Sequence, residues 1–193
     1  MCIRDRLKRA VHQARTWRGA FGAGAPRVHL NVSTQSLSTR RFFNQVVDCL
    51  DAAHLSPRAL AFEVNSSEVA PIDHRQVTTL SELQRIGCSI VIDGYGVGPE
   101  SLRLINRLRP SMVKLATYDP VRDRPVPPDV VMGLMRAVNS LELTSCVKSV
   151  EDPALLERVV TGGAYAAQGN ALMPVGELSA MTALLRAANR LGF

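Results

Sequence analysis

The sequence is poor in aromatic residues, poor in cysteine and free of long apolar runs. Three tyrosines, one tryptophan and five phenylalanines in 193 residues offer little for stacking on bases. They are not interleaved with the arginines that supply nearly all of the net charge of +6. A basic surface can favour phosphate-bearing partners, but duplex nucleic-acid binding is the weaker reading and a merely solvated arginine-rich surface the better one. The four cysteines, Cys2, Cys49, Cys88 and Cys146, form no C-x-x-C pair. That argues against a disulfide framework or a zinc ribbon and for reduced thiols in a cytoplasm. No apolar run approaches the roughly 20 residues of a bilayer span. No apolar segment follows the opening MCIRDR, so these residues are not a secretory signal. They lead into the middle of a helical pattern and read as an artefactual or disordered start, with one domain occupying residues 7–193.

What the chain does have is alternation. Helical spacing covers residues 7–19, with Leu7, Val11, Ala14 and Trp17 near one face, and residues 38–54, with Phe42, Val46, Val47 and Leu50 inward. Further helices are expected at 74–86, closed by Gly87, at 99–108 with Pro99 in its first turn, and at 128–141, 152–161 and 177–190. Strands are expected at 27–32, 59–65, 88–93, 111–115, 143–148 and 164–167. Strand–helix alternation implies parallel strands joined by crossover helices. The loop at 117–128 carries four prolines and is too long for an ordinary connection, so it reads either as a functional flap or as an irregular surface excursion.

The residues that close the six strands are Asn31, Glu63, Asp93, Lys114, Lys148 and Gln168. In a barrel of parallel strands these ends share one face, where active sites are built. The run VIDGYGVG at 91–98 has glycines at alternate positions, which is not the G-x-G-x-x-G spacing of a dinucleotide fingerprint. Asp93 would also face a bound pyrophosphate with no cation between, unless a metal or a lysine neutralised it. His12, His29, His54 and His74 have no metal-ligand spacing and read as surface or helix residues.

Four segments carry a family resemblance. LNVSTQSL (30–37) is similar to an N-(L/V)-S-x-x-x-L motif, and FEVNSSEV (62–69) to E-(I/L)-T-E-S. IDGYGVGPESLRLINRLRPSMVKLA (92–116) is similar to a D-D-F-G-T-G block ending in K-I-D. SVEDPALLERVVTGGAYAAQGNALMPV (149–175) is similar to a block running from G-V-E-T to Q-G-Y. In this order and spacing they resemble the EAL domain, the cyclic-di-GMP phosphodiesterase family of bacterial signalling. The resemblance implies a TIM-like (β/α) barrel, here lacking the first strand–helix unit with its E-A-L strand. It implies a site at the C-terminal rim, with two Mg²⁺ or Mn²⁺ ions that activate water and give linear pGpG. By that resemblance Asn31, Glu63 and Asp93 match metal ligands and Lys114 matches the lysine near the nucleophilic water. Gln168, Gly169, Glu151 and Arg103 are the candidate ligand contacts.

The departures all remove a carboxylate. Gly94, Ser66 and Ala116 stand where the family has acids, and Lys148 stands at the expected general base. Two dications close together repel strongly and need several carboxylates. The expectation is that Lys114 and Lys148 take the metals' place as counter-charges to Glu63 and Asp93. Three functions follow: an inactive regulatory module that binds a protein partner or an upstream signalling domain, a cyclic-di-GMP sensor without turnover, and a metal-dependent phosphodiesterase. The resemblance further suggests a cytoplasmic bacterial protein and allows a homodimer.

Overall fold

The structure is a computed structural model that describes residues 2–66, 73–96, 100–119 and 122–190. Six parallel strands form one curled sheet: β1 (Val28–Asn31), β2 (Leu60–Asn65), β3 (Ser89–Tyr95), β4 (Met112–Leu115), β7 (Thr144–Val147) and β8 (Ala166–Ala167), in that spatial order. Between β4 and β7 a short antiparallel ribbon pairs β5 (Tyr118–Asp119) with β6 (Arg124–Pro125). The helices are α1 (Ile3–Phe21), α2 (Thr34–Leu37), α3 (Arg40–Ala52), α4 (His74–Ile86), α5 (Glu100–Leu108), α6 (Pro128–Ser140), α7 (Pro153–Thr161) and α8 (Leu178–Arg190). This is the TIM-like barrel fold that the alternation implies, present as six parallel strands with surrounding helices.

Local chemistry explains the boundaries. Asp73 caps α4 by accepting from the Arg75 amide, and Gly87 closes it at φ 109°. Asp152 caps α7 by accepting from the Ala154 amide, with Pro153 in the first turn. The helix expected at 38–54 is α3 (Arg40–Ala52), and a short helix, α2 (Thr34–Leu37), precedes it where none was expected. Ser33 caps the short α2, and Thr39 adopts an extended φ of −119° before α3 begins. The hydroxyls of Ser38 and Thr39 bond back to the Thr34 and Ser36 carbonyls, an alternative to continuing the helix. On α3 Phe43 is buried and Val47 only half-buried, so the inward stripe differs by one position from the expected one. Residues 3–6, expected to lie outside the folded domain, form the first turn of α1. The expected role of Pro99 lies outside the described residues.

Parallel pairing in register sorts the strand residues by parity. Leu30, Phe62, Val64, Ile90, Ile92, Val113, Leu115 and Val147 face the helices, and all but Leu30 are at most 1% exposed. They meet Leu7, Val11, Phe42, Val46, Leu80, Leu83, Leu104 and Met135 in one core. Phe42 stands edge-on to Phe62 with ring centroids 5.7 Å apart. The opposite parity carries His29 and Asn31, Glu63, Asp93, Lys114 and Cys146 toward the barrel interior.

The charged mouth of the barrel

The strand ends open on a pocket of about 560 Å³. Asn31, Glu63, Asp93, Lys114, Lys148 and Gln168 all line it, as do Glu151 and Gly169. Arg103 does not: it sits on α5 with its side chain exposed and outside the lining. The far wall is Met173, Pro174, Val175, Gly176 and, from α8, Met181. None of the described residues of the proline-rich loop lines the pocket. The loop is the β5–β6 ribbon, with Asp119 buried and holding Arg122 at 2.8 Å.

Both expected lysine–carboxylate pairs are formed. Lys114 Nζ lies 2.7 Å from Glu63 Oε1, and Lys148 Nζ lies 2.9 Å from Asp93 Oδ1 and 3.0 Å from Oδ2. Lys114 also donates to Gln168 Oε1 at 3.2 Å. The backbone fixes Gln168, whose amide donates to Val147 O and whose carbonyl accepts from the Val150 amide. Gly169 must be glycine here: a Cβ would come within 2.3 Å of the Val150 backbone. Lys148 is aimed by its own carbonyl, which accepts from the Thr117 hydroxyl at 2.9 Å. The next residue, Ser149, is held at φ 56°.

The two pairs differ in depth. Glu63 is 5% exposed and Lys114 9%. Burial alone would raise the Glu63 pKa. Hydrogen bonds from His29 and Lys114, together with their charges, outweigh it and hold the carboxyl below its ordinary value of 4.5. His29 is the residue that sequence reasoning missed. It is exposed, as expected of a surface residue, but it lies on β1 with Nδ1 2.6 Å from Glu63 Oε1. Its signal was parity: His29 and Asn31 are two apart on one strand and so share a face, with Asn31 paired to Glu63 across β1 and β2. Asn31 itself offers its side chain to the pocket, while its carbonyl accepts from the Arg6 guanidinium.

At two of the positions that lack a family acid, a neutral contact fills the space. The buried Ser66 hydroxyl donates to Gly94 O at 2.9 Å, and the Ser66 amide donates to Asp93 O at 2.8 Å. Gly94 takes φ 72°, a conformation an aspartate adopts only at some cost. Ala116 is buried and its amide donates to Tyr95 O. Glu151 remains an acid at the rim, accepting from Asn170 Nδ2 at 2.7 Å.

The donor set does not fit a metal pair. Oε1 of Glu63 is shared by His29 and Lys114, both oxygens of Asp93 face Lys148, and Oδ1 of Asp93 also accepts from the Gly94 amide. Among the described residues no group of three or more histidine, cysteine, aspartate or glutamate side chains is placed to hold a metal ion. What this arrangement can do is bind, through Gln168, Asn170 and the lysine ammonium groups, beside an apolar wall.

The comparisons agree with the fold. The EAL domain profile matches residues 4–174, and the chain belongs to the EAL domain family. An uncharacterized protein of Mycobacterium tuberculosis is 29% identical over 169 residues, which are 84% of this chain and 55% of that protein. The chain thus spans about half the length of the curated relatives it matches. The cyclic di-GMP phosphodiesterase RocR of Pseudomonas aeruginosa is 23% identical, covering 72% of this chain and 36% of RocR. Among solved structures, the EAL domain of Mycobacterium smegmatis DcpA superposes with a TM-score of 0.80 at 24% identity, over 94% of this chain and 82% of that one. The FimX EAL domain of Xanthomonas citri, solved in complex with c-diGMP, gives 0.77 at 16% identity, over 91% and 69%. No helix among the described residues is long and apolar enough to cross a membrane.

Proposed function

We propose that this EAL domain is catalytically silent and acts in bacterial cyclic-di-GMP signalling as a regulatory module, docking to a protein partner or to a neighbouring domain in the cytoplasm. The observation that carries this reading is the pairing at the barrel mouth. Each remaining strand-end carboxylate already has an ammonium group at 2.7–2.9 Å, where hydrolysis by the family's chemistry would need cations. The expected general base is itself one of those ammonium groups, and a lysine paired to Asp93 has no lone pair to take a proton from water.

A second reading, binding of cyclic-di-GMP without turnover, is favoured by the open pocket of about 560 Å³ with Gln168, Gly169 and Glu151 still on its rim. One experiment separates the three cases. Cyclic-di-GMP is titrated calorimetrically into the protein with Mg²⁺ or Mn²⁺ present, and the mixture is then analysed for pGpG. The expected result is no pGpG. Accumulation of pGpG over many turnovers would overturn the proposal, whereas micromolar binding without product would favour the sensor reading.

A further inference from the structure

A second pocket, of about 320 Å³, lies at the other end of the barrel, where β1 and β2 begin. Its floor includes Ala14 and Leu55, both buried, and its mouth carries Arg18, Arg27 and Arg58. Arg18 is in the last turn of α1, Arg27 immediately precedes β1, and Arg58 lies in the short 3₁₀ turn Pro57–Ala59 that leads into β2. Arg27 Nε donates to Arg58 O at 3.1 Å, which ties the two strand entries together.

The charge here is uncompensated. Among the described residues no acidic residue lines the pocket. Among the described residues none of the three arginines forms an ion pair, whereas Arg40, Arg122 and Arg158 are each held by a carboxylate. The C-terminal end of α1 offsets part of the repulsion between three guanidinium groups, but only as a partial charge. Guanidinium groups present planar forks of N–H donors that match phosphate oxygens, and a shared pocket lets them converge. Ser56, at the mouth, has a hydroxyl that caps no helix and adds a neutral donor.

We propose that this pocket is an anion site for the phosphate group of a small phosphorylated molecule, which bridges the end of α1 and the entries of β1 and β2. Its volume is at the low end for ligand pockets and suits a phosphate or diphosphate with a small appendage. It is separate from the charged mouth, because the two open at opposite ends of the same strands. The ligand ties three chain segments together, so binding raises the melting temperature by mass action.

The test uses pyrophosphate as the probe, read by calorimetry and by thermal denaturation of the whole chain. Saturable one-site binding with a raised Tm is expected, weakened roughly tenfold by Arg58→Ala and by Arg18→Ala. Arg41→Ala, which removes the same charge from exposed α3, is expected to leave it unchanged. A parallel arm compares phosphatidylcholine vesicles with and without phosphatidylglycerol. Binding to the anionic vesicles that is lost in Arg58→Ala, without pyrophosphate binding, would place the phosphate on a lipid headgroup. The proposal is overturned by the absence of saturable binding in both arms, or by equal weakening in Arg41→Ala.

Discussion

The two ion pairs at the barrel mouth are the same chemical device set at different depths. Glu63–Lys114 sits among the strands with side chains 6% and 11% exposed, while Asp93–Lys148 sits higher, at 17% and 30%. Desolvation grows with depth, so the lower pair holds charges that cannot be left alone, and the upper pair holds charges that water can still reach. The lower pair is also networked, through His29 and Gln168, and the upper is supported by one backbone amide. The lower lysine, which matches one the family keeps, is expected to matter most for stability, and the upper one, at the expected general-base position, to matter most for what the pocket attracts.

The sharpest way to break this contrast is to remove each lysine in turn. Lys114→Met strands a buried carboxylate with only His29 beside it and is expected to cost about 3 kcal/mol of stability in urea denaturation. Lys148→Met is expected to cost about 1 kcal/mol or less. Equal losses would erase the distinction in depth.

Acid gives the next largest signal. Glu63 titrates below its unfolded value of 4.5, so its contribution to stability is fully present above that pH and drains away as the pH falls through the lowered folded value. Glu63→Gln is expected to start less stable at neutral pH and to lose less on acidification below 4.5. Identical acid limbs for the two proteins would remove the lower pair from the account.

The most informative change for function is Lys148→Glu, which is expected to cost at least as much stability as Lys148→Met because it adds like-charge repulsion to the lost pair. It replaces the upper cation with a second carboxylate beside Asp93 and is expected to raise Mn²⁺ affinity at least tenfold, followed by electron paramagnetic resonance of free Mn²⁺. Unchanged Mn²⁺ binding would mean that lysine substitution is not what excludes the metal.

Much of this site could be read before any coordinates. Strand ends Asn31, Glu63, Asp93, Lys114, Lys148 and Gln168 converge because parallel strands of alternating parity leave no other arrangement, and the two lysine–acid pairings follow from residue type. Depth could not be read, because Glu63 and Asp93 each lie two residues before the end of their strand, and only the three-dimensional surroundings bury one more than the other. His29 is legible by its parity with Asn31, but metal-ligand spacing alone says nothing of its hydrogen bond to Glu63. Arg103 was placed at the ligand by resemblance, but its helix turns it to the surface. The short α2 went unseen because four residues carry no helical periodicity, and only its Ser33 cap and the Ser38 and Thr39 hydroxyls mark its ends.

Cys146 lies beneath both pairs, opposite Lys114 in the register of β4 and β7, and is 5% exposed. Burial chiefly raises its pKa, with the pull of Lys114 and Lys148 set against the push of Glu63 and Asp93. Cys88, the other buried thiol, immediately precedes β3 at the opposite end and is pushed up to about 12 by burial. Both thiols are expected to react only slowly with an alkylating reagent, since reaction needs both access and a thiolate. Each is therefore a clock for its own end of the molecule. The time Cys146 takes to be modified counts how often the mouth breathes open, and Cys88 keeps the same count for the base.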